Sequence, residues 1–403
     1  MGLFMKKYFI YIALFMLFIN QVNAQETKNK FGKGFDIVGK DSSFSMNIGL
    51  RVQSLYINSW DVTNDELDKL SNPISNFMIR RSRIKLKGFA YTTKLQYKIE
   101  LGLSNRDMSG GGTSDYSNAP RFLMDAVIKW NFYKNFTLWA GQTKLPGNRE
   151  RVISSADLES VDRSRLNSRF NLDRDMGLQL HHKMKLGNKF VIKEAFAFSQ
   201  GEGRNVTSGN IGGNDYTFRV EMLPMGEFKS KGDYKGGDLK REEKPKLSVG
   251  FTYDINDKAG RERGQGGDFI LADKSQLKRL IGFFGDFIYK YDGFSMMGEY
   301  ANKTVSGGDN NVYDATTAAV LGTYYTGEAA TLQASYLFKN NWQPIVRYTH
   351  LSPVSSSKEN EYTVGVSKYI VGHKLKVQTD LSYREVAGSD DLFYYRLQFD
   401  LHF

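Results

Sequence analysis

Leu392–Phe403 reads LFYYRLQFDLHF. Phe393, Tyr395, Leu397, Phe399, Leu401 and Phe403 recur at period two, and Tyr394, Arg396, Gln398, Asp400 and His402 fill the positions between them. Successive side chains of a strand point to opposite faces, so this stretch has an apolar face and a mostly polar one. The apolar face ends on an aromatic residue at the last position of the chain. No soluble core is needed to explain such a strand if the apolar face meets lipid.

The same pattern runs back through the sequence. In Lys374–Val386, Leu375, Val377, Thr379, Leu381 and Tyr383 oppose Lys374, Lys376, Gln378, Asp380, Ser382 and Arg384. Ser43–Ile57, Met78–Tyr91, Leu95–Leu103, Phe122–Phe132 and Phe136–Gln142 alternate in the same way, and Met176–Lys185 resumes the series. Segments of this length and period fit transmembrane β-strands. Sixteen are expected, an even number, as bacterial single-chain barrels have. In lipid every backbone group must be paired, so the last strand has to close against the first. The expected fold is therefore all-β: a transmembrane antiparallel barrel over residues 43–403, after an N-terminal periplasmic segment at 25–42. A β-sandwich also alternates, but its connections need not differ in length from one edge to the other.

Here they do differ. Asn58–Phe77, Ser104–Arg121 and Gly201–Asp215 are long, whereas Thr92–Lys94, Tyr133–Asn135 and Leu186–Lys189 are short. One rim thus reads as extracellular and the other as periplasmic. Pro224–Pro245 breaks the alternation, being long and charged where a short turn is due. It is either a periplasmic excursion or a sign of miscounted strands.

Composition agrees with the barrel. The 403 residues include 23 Tyr and 28 Phe but only 7 Pro, and the net charge is +11. Cysteine is absent, which excludes disulfides and thiolate metal sites. The five histidines show no metal-ligand spacing, and no cofactor is expected. Lys6 and Lys7 precede an apolar run from Tyr8 to Ile19, and Val22-Asn23-Ala24 gives a small-residue cleavage site. Residues 1–24 read as a secretory signal peptide, and the expected location is the bacterial outer membrane. Gly201-Glu202-Gly203 does not lie between a strand and a helix, and Ser, His and Asp form no recognisable nucleophile elbow. No enzymatic role is expected.

The polar faces carry more cations than anions. Arg51, Arg83, Lys85, Lys87, Lys98, Arg219, Arg347, Lys374, Lys376, Arg384 and Arg396 outnumber Glu100, Asp125, Glu221, Asp286, Asp380 and Asp400. A lumen lined this way favours anions. The densest basic run is Arg80-Arg81-Ser82-Arg83-Ile84-Lys85-Leu86-Lys87. Exported context gives it no nucleic-acid partner, so small anions, lipid headgroups and acidic loops are its candidate partners.

Gly141–Asp175, GQTKLPGNRERVISSADLESVDRSRLNSRFNLDRD, is too long and too charged for an ordinary turn. Pro146-Gly147 ends the preceding strand, and Ser154 with Asp157 three residues on predicts a helix from Ala156 to about Asn167. Six arginines in Arg149–Arg174 match six acidic residues between Glu150 and Asp175. The stretch is expected to fold inward at 143–174 as a charge-braced constriction.

Three short runs, Gly141-Gln142-Thr143-Lys144-Leu145-Pro146, Val161-Asp162-Arg163-Ser164 and Arg174-Asp175-Met176-Gly177, resemble the phosphate-selective porin O and P family. The terminal phenylalanine and Arg80, Arg81 and Arg83 are similar to family features, and the branch resembled is of Bacteroidetes type. The resemblance implies a sixteen-stranded barrel, usually trimeric, whose third loop enters the lumen and passes phosphate or polyphosphate. It also implies recognition by the outer-membrane assembly machinery through Phe403. By position, Lys144, Arg149, Arg151, Arg163 and Arg165 become candidate anion-binding residues, with Arg83 and Lys85 on the wall. The reading is thus a passive diffusion channel with a preference for anions. The alternative is a non-conducting barrel that acts as an adhesin or assembly partner through its outer loops.

Overall fold

A computed structural model describes residues 30–62, 70–108, 121–206 and 211–403. The stretch expected to be a signal peptide, 1–24, lies outside these described residues. Sixteen antiparallel strands form one closed barrel. They are β1 (Phe44–Val62), β2 (Leu70–Ala90), β3 (Thr92–Gly102), β4 (Leu123–Tyr133), β5 (Phe136–Lys144), β6 (Arg174–Leu186), β7 (Phe190–Ser199) and β8 (Asp215–Leu223). The second half comprises β9 (Lys246–Asn256), β10 (Leu280–Tyr291), β11 (Phe294–Val305), β12 (Gly327–Tyr336), β13 (Trp342–Pro353), β14 (Glu359–Tyr369), β15 (Leu375–Val386) and β16 (Asp391–His402).

Closure runs from Asp391 opposite Val62 to His402 opposite Arg51. Phe403 extends the seam by exchanging both backbone hydrogen bonds with Leu50, at 2.6 and 3.0 Å. Below that point β16 has ended, and a short N-terminal strand, Phe35–Val38, pairs with Ser45–Ile48 in its place. The edge of β1 that β16 leaves is thereby paired as well, as a barrel wall in lipid would require.

The faces sort as the period-two pattern predicts, with the usual protein polarity inverted. Trp130, Val346, Val364 and Phe399 are each more than half exposed on the outside. Gln53, Ser248, Thr252, Gln343, Lys376 and Gln378 are buried on the inside. Asn58–Phe77, expected as a long loop, is largely strand instead, because β1 and β2 run for 19 and 21 residues. Its Ser and Asn side chains carry no apolar period, so only the ladder, Ile57 opposite Asn76 through Val62 opposite Leu70, reveals the pairing.

Pro224–Pro245 connects β8 to β9 on the rim of the short turns, with the strand count intact. The other connections on that rim have between one and five residues, from Tyr91 to 370–374.

Candidate functional site

The third outer loop, 145–173, folds into the barrel. Its apolar residues choose one side of the wall. Leu145, Leu166, Phe170 and Leu172 pack with Ala197 of β7, Phe284 of β10, Ala301 of β11, Ala329 of β12 and Leu351 of β13. Ile153 and Leu158 join a second cluster with Val191, Leu223, Ile288 and Met297. Burying a side chain of this size contributes about 1.5–3 kcal/mol. The two arms of the loop cross at Gly147, where a Cβ would lie 2.6 Å from that of Leu172. Asn148 ties them together by donating to the Phe170 carbonyl and accepting from the Leu172 N–H, at 3.3 and 3.0 Å.

The predicted helix from Ala156 to Asn167 is not formed. Two short helices occur instead, α1 at Arg149–Val152 before that region and α2 at Arg165–Arg169 overlapping its end. Between them the backbone carbonyls serve the wall rather than a helix ladder. Leu158 O accepts from Lys376 Nζ at 2.6 Å, and Glu159 O accepts from Ser367 and Gln378. Asp162 O accepts from Arg347 at 2.9 Å. The helix cap is Ser164, whose hydroxyl accepts from the Asn167 N–H.

Because the loop leans on β7–β15, the open space lies against β2–β6. A cavity of about 330 Å³ opens there, lined by ten cations and three carboxylates. Arg80, Arg81 and Arg83 come from β2, Lys144 from the end of β5 and Arg174 from β6. Arg151 and Arg163 come from the inward loop, and Arg106, Arg204 and Arg263 from three other outer loops. Asp107, Asp162 and Asp173 are the anions.

Strict alternation would put Arg80 and Arg81 on opposite faces of β2. A bulge prevents this: Gln53 pairs with Arg81 and Ser54 with Ile79, leaving Arg80 as the extra residue. Both arginines are buried and both reach Asp162, at 2.5 and 3.2 Å. Burial alone would raise the Asp162 carboxyl, but Arg80 and Arg81 outweigh it and hold it well below the usual carboxylate range. Burial is likewise overcome at Asp173, where Arg151 and Arg174 hold the carboxyl low.

Not every cation of the cluster has a carboxylate. Lys144 Nζ donates to the carbonyls of Arg151 and Ile153, at 2.6 and 3.2 Å. Arg163 donates to the carbonyls of Glu150 and Ile153, Arg204 to that of Asp107 and Arg263 to that of Ser168. Carbonyls orient a guanidinium without neutralising it. Burial and the neighbouring Arg151 push Arg163 down to about 9, which still leaves it charged at neutral pH. The cavity therefore keeps a positive field.

The remaining sequence candidates are placed differently. Arg149 is fully buried away from the cavity, donating to Asp286 at 2.8 Å, Ser248 at 3.0 Å and the Asp233 carbonyl at 2.9 Å. It anchors α1 to β9 and β10. Arg165 makes a two-pronged pair with Glu359 of β14, at 2.6 and 2.8 Å. Lys85 lies on the inner face of β2 below the cavity, half-buried beside Lys87 and Lys98. Elsewhere on the wall the arginines are matched: Arg51 with Asp400, Arg219 with Asp286, Arg384 with Glu361 and Arg396 with Asp380. At the cavity itself Arg83 and Arg174 also pair with the wall carboxylates Glu100 and Asp125, at 3.0 and 2.9 Å. No group of residues able to hold a metal occurs among the described residues.

Known proteins match this arrangement at two levels. The sequence model of the family described as phosphate-selective porin O and P matches residues 55–391. An Aquifex aeolicus (strain VF5) protein described as uncharacterized is 25% identical over 328 residues, 75% of this chain and 74% of that protein. Among solved structures, the outer membrane channel DcaP of Acinetobacter baumannii superposes with a TM-score of 0.52. It is 12% identical and covers 92% of this chain and 100% of its own. Pseudomonas putida OprB gives a TM-score of 0.53 at 10% identity, over 89% of this chain and 94% of that one. At such identities these structures speak for the fold alone.

Proposed function

This chain belongs to the phosphate-selective porin O and P family, and from that membership we propose that it is an outer-membrane porin whose lumen prefers anions of the phosphate class. The observation that carries the preference is the cavity at the inward loop, with ten cations against three carboxylates. Arginine suits phosphate because its rigid donor fork matches two phosphate oxygens at once. Below the cavity, Lys85, Lys87 and Lys129 continue along β2 and β4, while Lys98 of β3 is paired with Glu100 and Asp125. Passive diffusion needs sites that attract without trapping. A cluster already partly satisfied by Asp162 and Asp173 meets that need better than bare arginines would.

Export through the leader at 1–24, assembly through Phe403 and a homotrimeric state belong to the same proposal. Phosphate at millimolar concentration should reduce the chloride current through channels in a planar bilayer. Arg151→Ala combined with Arg163→Ala should relieve that block, since both line the cavity. Block that persists undiminished in the double variant would count against the site.

One observation favours a second reading. The inner face of β9–β15 is packed shut, with Ser248, Thr252, Thr349 and Lys376 all fully buried. A non-conducting barrel serving as an adhesin or assembly partner could be built that way. Deleting Ser154–Asn167 separates the two: a constricted channel gains conductance, whereas a plugged scaffold only loses stability.

A further inference from the structure

The connection between β8 and β9 is where the periplasmic rim departs from its own rule. Short turns suffice everywhere else on that rim, and here the chain spends 22 residues, 224–245. Met225, Lys229, Lys231 and Glu243 are exposed, but the middle of the segment is drawn in. Gly232, Asp233, Gly236, Gly237, Asp238 and Glu242 are buried, although none of them is apolar enough to be drawn in by hydrophobicity. Polar contacts must hold them.

Those contacts have two targets. The first is the wall. Lys290 of β10, itself buried, donates to the carbonyls of Gly232, Lys235 and Gly237, at 2.8, 2.8 and 2.5 Å. His373, in the turn before β15, donates from Nε2 to the Gly236 carbonyl at 3.0 Å. Asp238 accepts from the Glu242 and Gly293 N–H groups, both at 2.9 Å. Tyr234 donates to Glu221 at 2.6 Å.

The second target is the third outer loop, which has entered from the opposite mouth. Gly236 N–H donates to the Asp157 carbonyl at 2.6 Å. Arg149 donates to the Asp233 carbonyl. Phe228 packs in the same apolar cluster as Ile153 and Leu158 of that loop. Approach is close enough to exclude a side chain: a Cβ on Gly236 would lie 2.6 Å from the Glu159 nitrogen and 2.9 Å from the Asp157 oxygen. Both are backbone atoms of the loop, so no rotamer change could make room.

We propose that residues 225–244 form a second, periplasm-side constriction that meets the third outer loop inside the barrel. Together they stop the lumen over β9–β15 and confine passage to the cation-lined β2–β6 wall. The segment acts through position: it braces the loop from below, so that Arg151 and Arg163 stay at the cavity. It also covers the neutral inner face at Gln343, where a Cβ on Gly237 would lie 2.7 Å from the amide nitrogen, while Ser367 and Gln378 beside it donate to Glu159 of the loop. A path along that face would pass ions without regard to sign. The segment is therefore a determinant of both size and charge selectivity, although it contributes no residue to the cation cluster.

Deletion of residues 226–243, joining Met225 to Lys244, restores a short turn like its neighbours. Single-channel conductance should rise by about twofold or more, and the chloride-to-potassium permeability ratio should fall toward one. Heat-modifiable migration on a gel reports whether the barrel has formed. A folded deletion variant with the conductance and permeability ratio of the parent would overturn the proposal. Should the deletion not fold, Gly236→Val decides instead, since it leaves every strand and the segment's length intact. It should raise conductance or open-channel noise by prising the segment from Asp157 and Glu159; parental traces would overturn the proposal equally. The inference rests on the reading of the barrel as a channel. Failure of the parent to conduct would sink that reading, whereas unchanged conductance in the variants sinks only the second constriction.

Discussion

Arg149→Met should loosen the inward loop while leaving the sixteen-stranded wall intact. The Arg149 guanidinium is fully buried and serves Asp286, Ser248 and the Asp233 carbonyl at once. It also lies 3.5 Å from Glu221. Burial would push it down, but Asp286 and Glu221 outweigh that and hold it above its ordinary value. Removing one partner of a buried ion pair costs about 3–5 kcal/mol, because the other charge is left uncompensated. Here Asp286 would keep only Arg219, and Glu221 would keep Arg219, the more distant Lys193 and the Tyr234 hydroxyl. Ordering a loop costs about 1–2 kcal/mol per residue in backbone entropy, so the apolar anchors have little margin. The expected result is a larger and noisier single-channel conductance with faster protease cleavage within 145–173. Arg149→Lys should fall between, since one ammonium cannot span three acceptors held in a fork. Parental conductance and protease resistance in Arg149→Met would show that the anchor is dispensable.

The second large effect should come from reversing charge at the cavity without substituting any residue of the third outer loop. Arg204 and Arg263 line it from separate outer loops and donate to the backbone carbonyls of Asp107 and of the third loop's Ser168. Arg204→Glu with Arg263→Glu changes the lining from ten cations and three carboxylates to eight and five. A cleft lined by one sign of charge concentrates counter-ions, so chloride preference should fall by about threefold or more. Measurement at about 0.1 M salt keeps the Debye length near 10 Å, comparable to the cavity; in molar salt the effect should fade. Arg204→Gln with Arg263→Gln should give about half the shift, as a charge effect requires. A permeability ratio unchanged by the Glu pair would mean that the ion path avoids this cavity.

How much of this could be read beforehand varies from residue to residue. The wall was legible because lipid outside and a polar lumen inside impose one rule on every strand, and Phe393–Phe403 and Lys374–Val386 obey it plainly. The anomaly at Pro224–Pro245 was visible as a length, though not as an inward fold, since glycines and lysines give no face to follow. Arg80 and Arg81 stood out as a basic run, yet only the bulge sends both inward. Among the loop arginines, the sequence could not sort anchors from lining. Arg149 finds Asp286 at 137 residues' separation, and Arg165 finds Glu359 at 194. Such pairings depend on closure of the whole barrel. Arg106, Arg204 and Arg263 lay beyond any local pattern for the same reason: three loops meet only because their strands do. The helix expected from Ser154 failed because the wall offered its carbonyls better donors than the loop's own N–H groups.

The central claim is an excess of positive charge along the path that ions take. The zero-current potential of the purified, folded protein in a planar bilayer, under a tenfold KCl gradient, tests it most directly. The account predicts that the dilute side becomes negative, as chloride crosses ahead of potassium. A dilute side that becomes positive would contradict it.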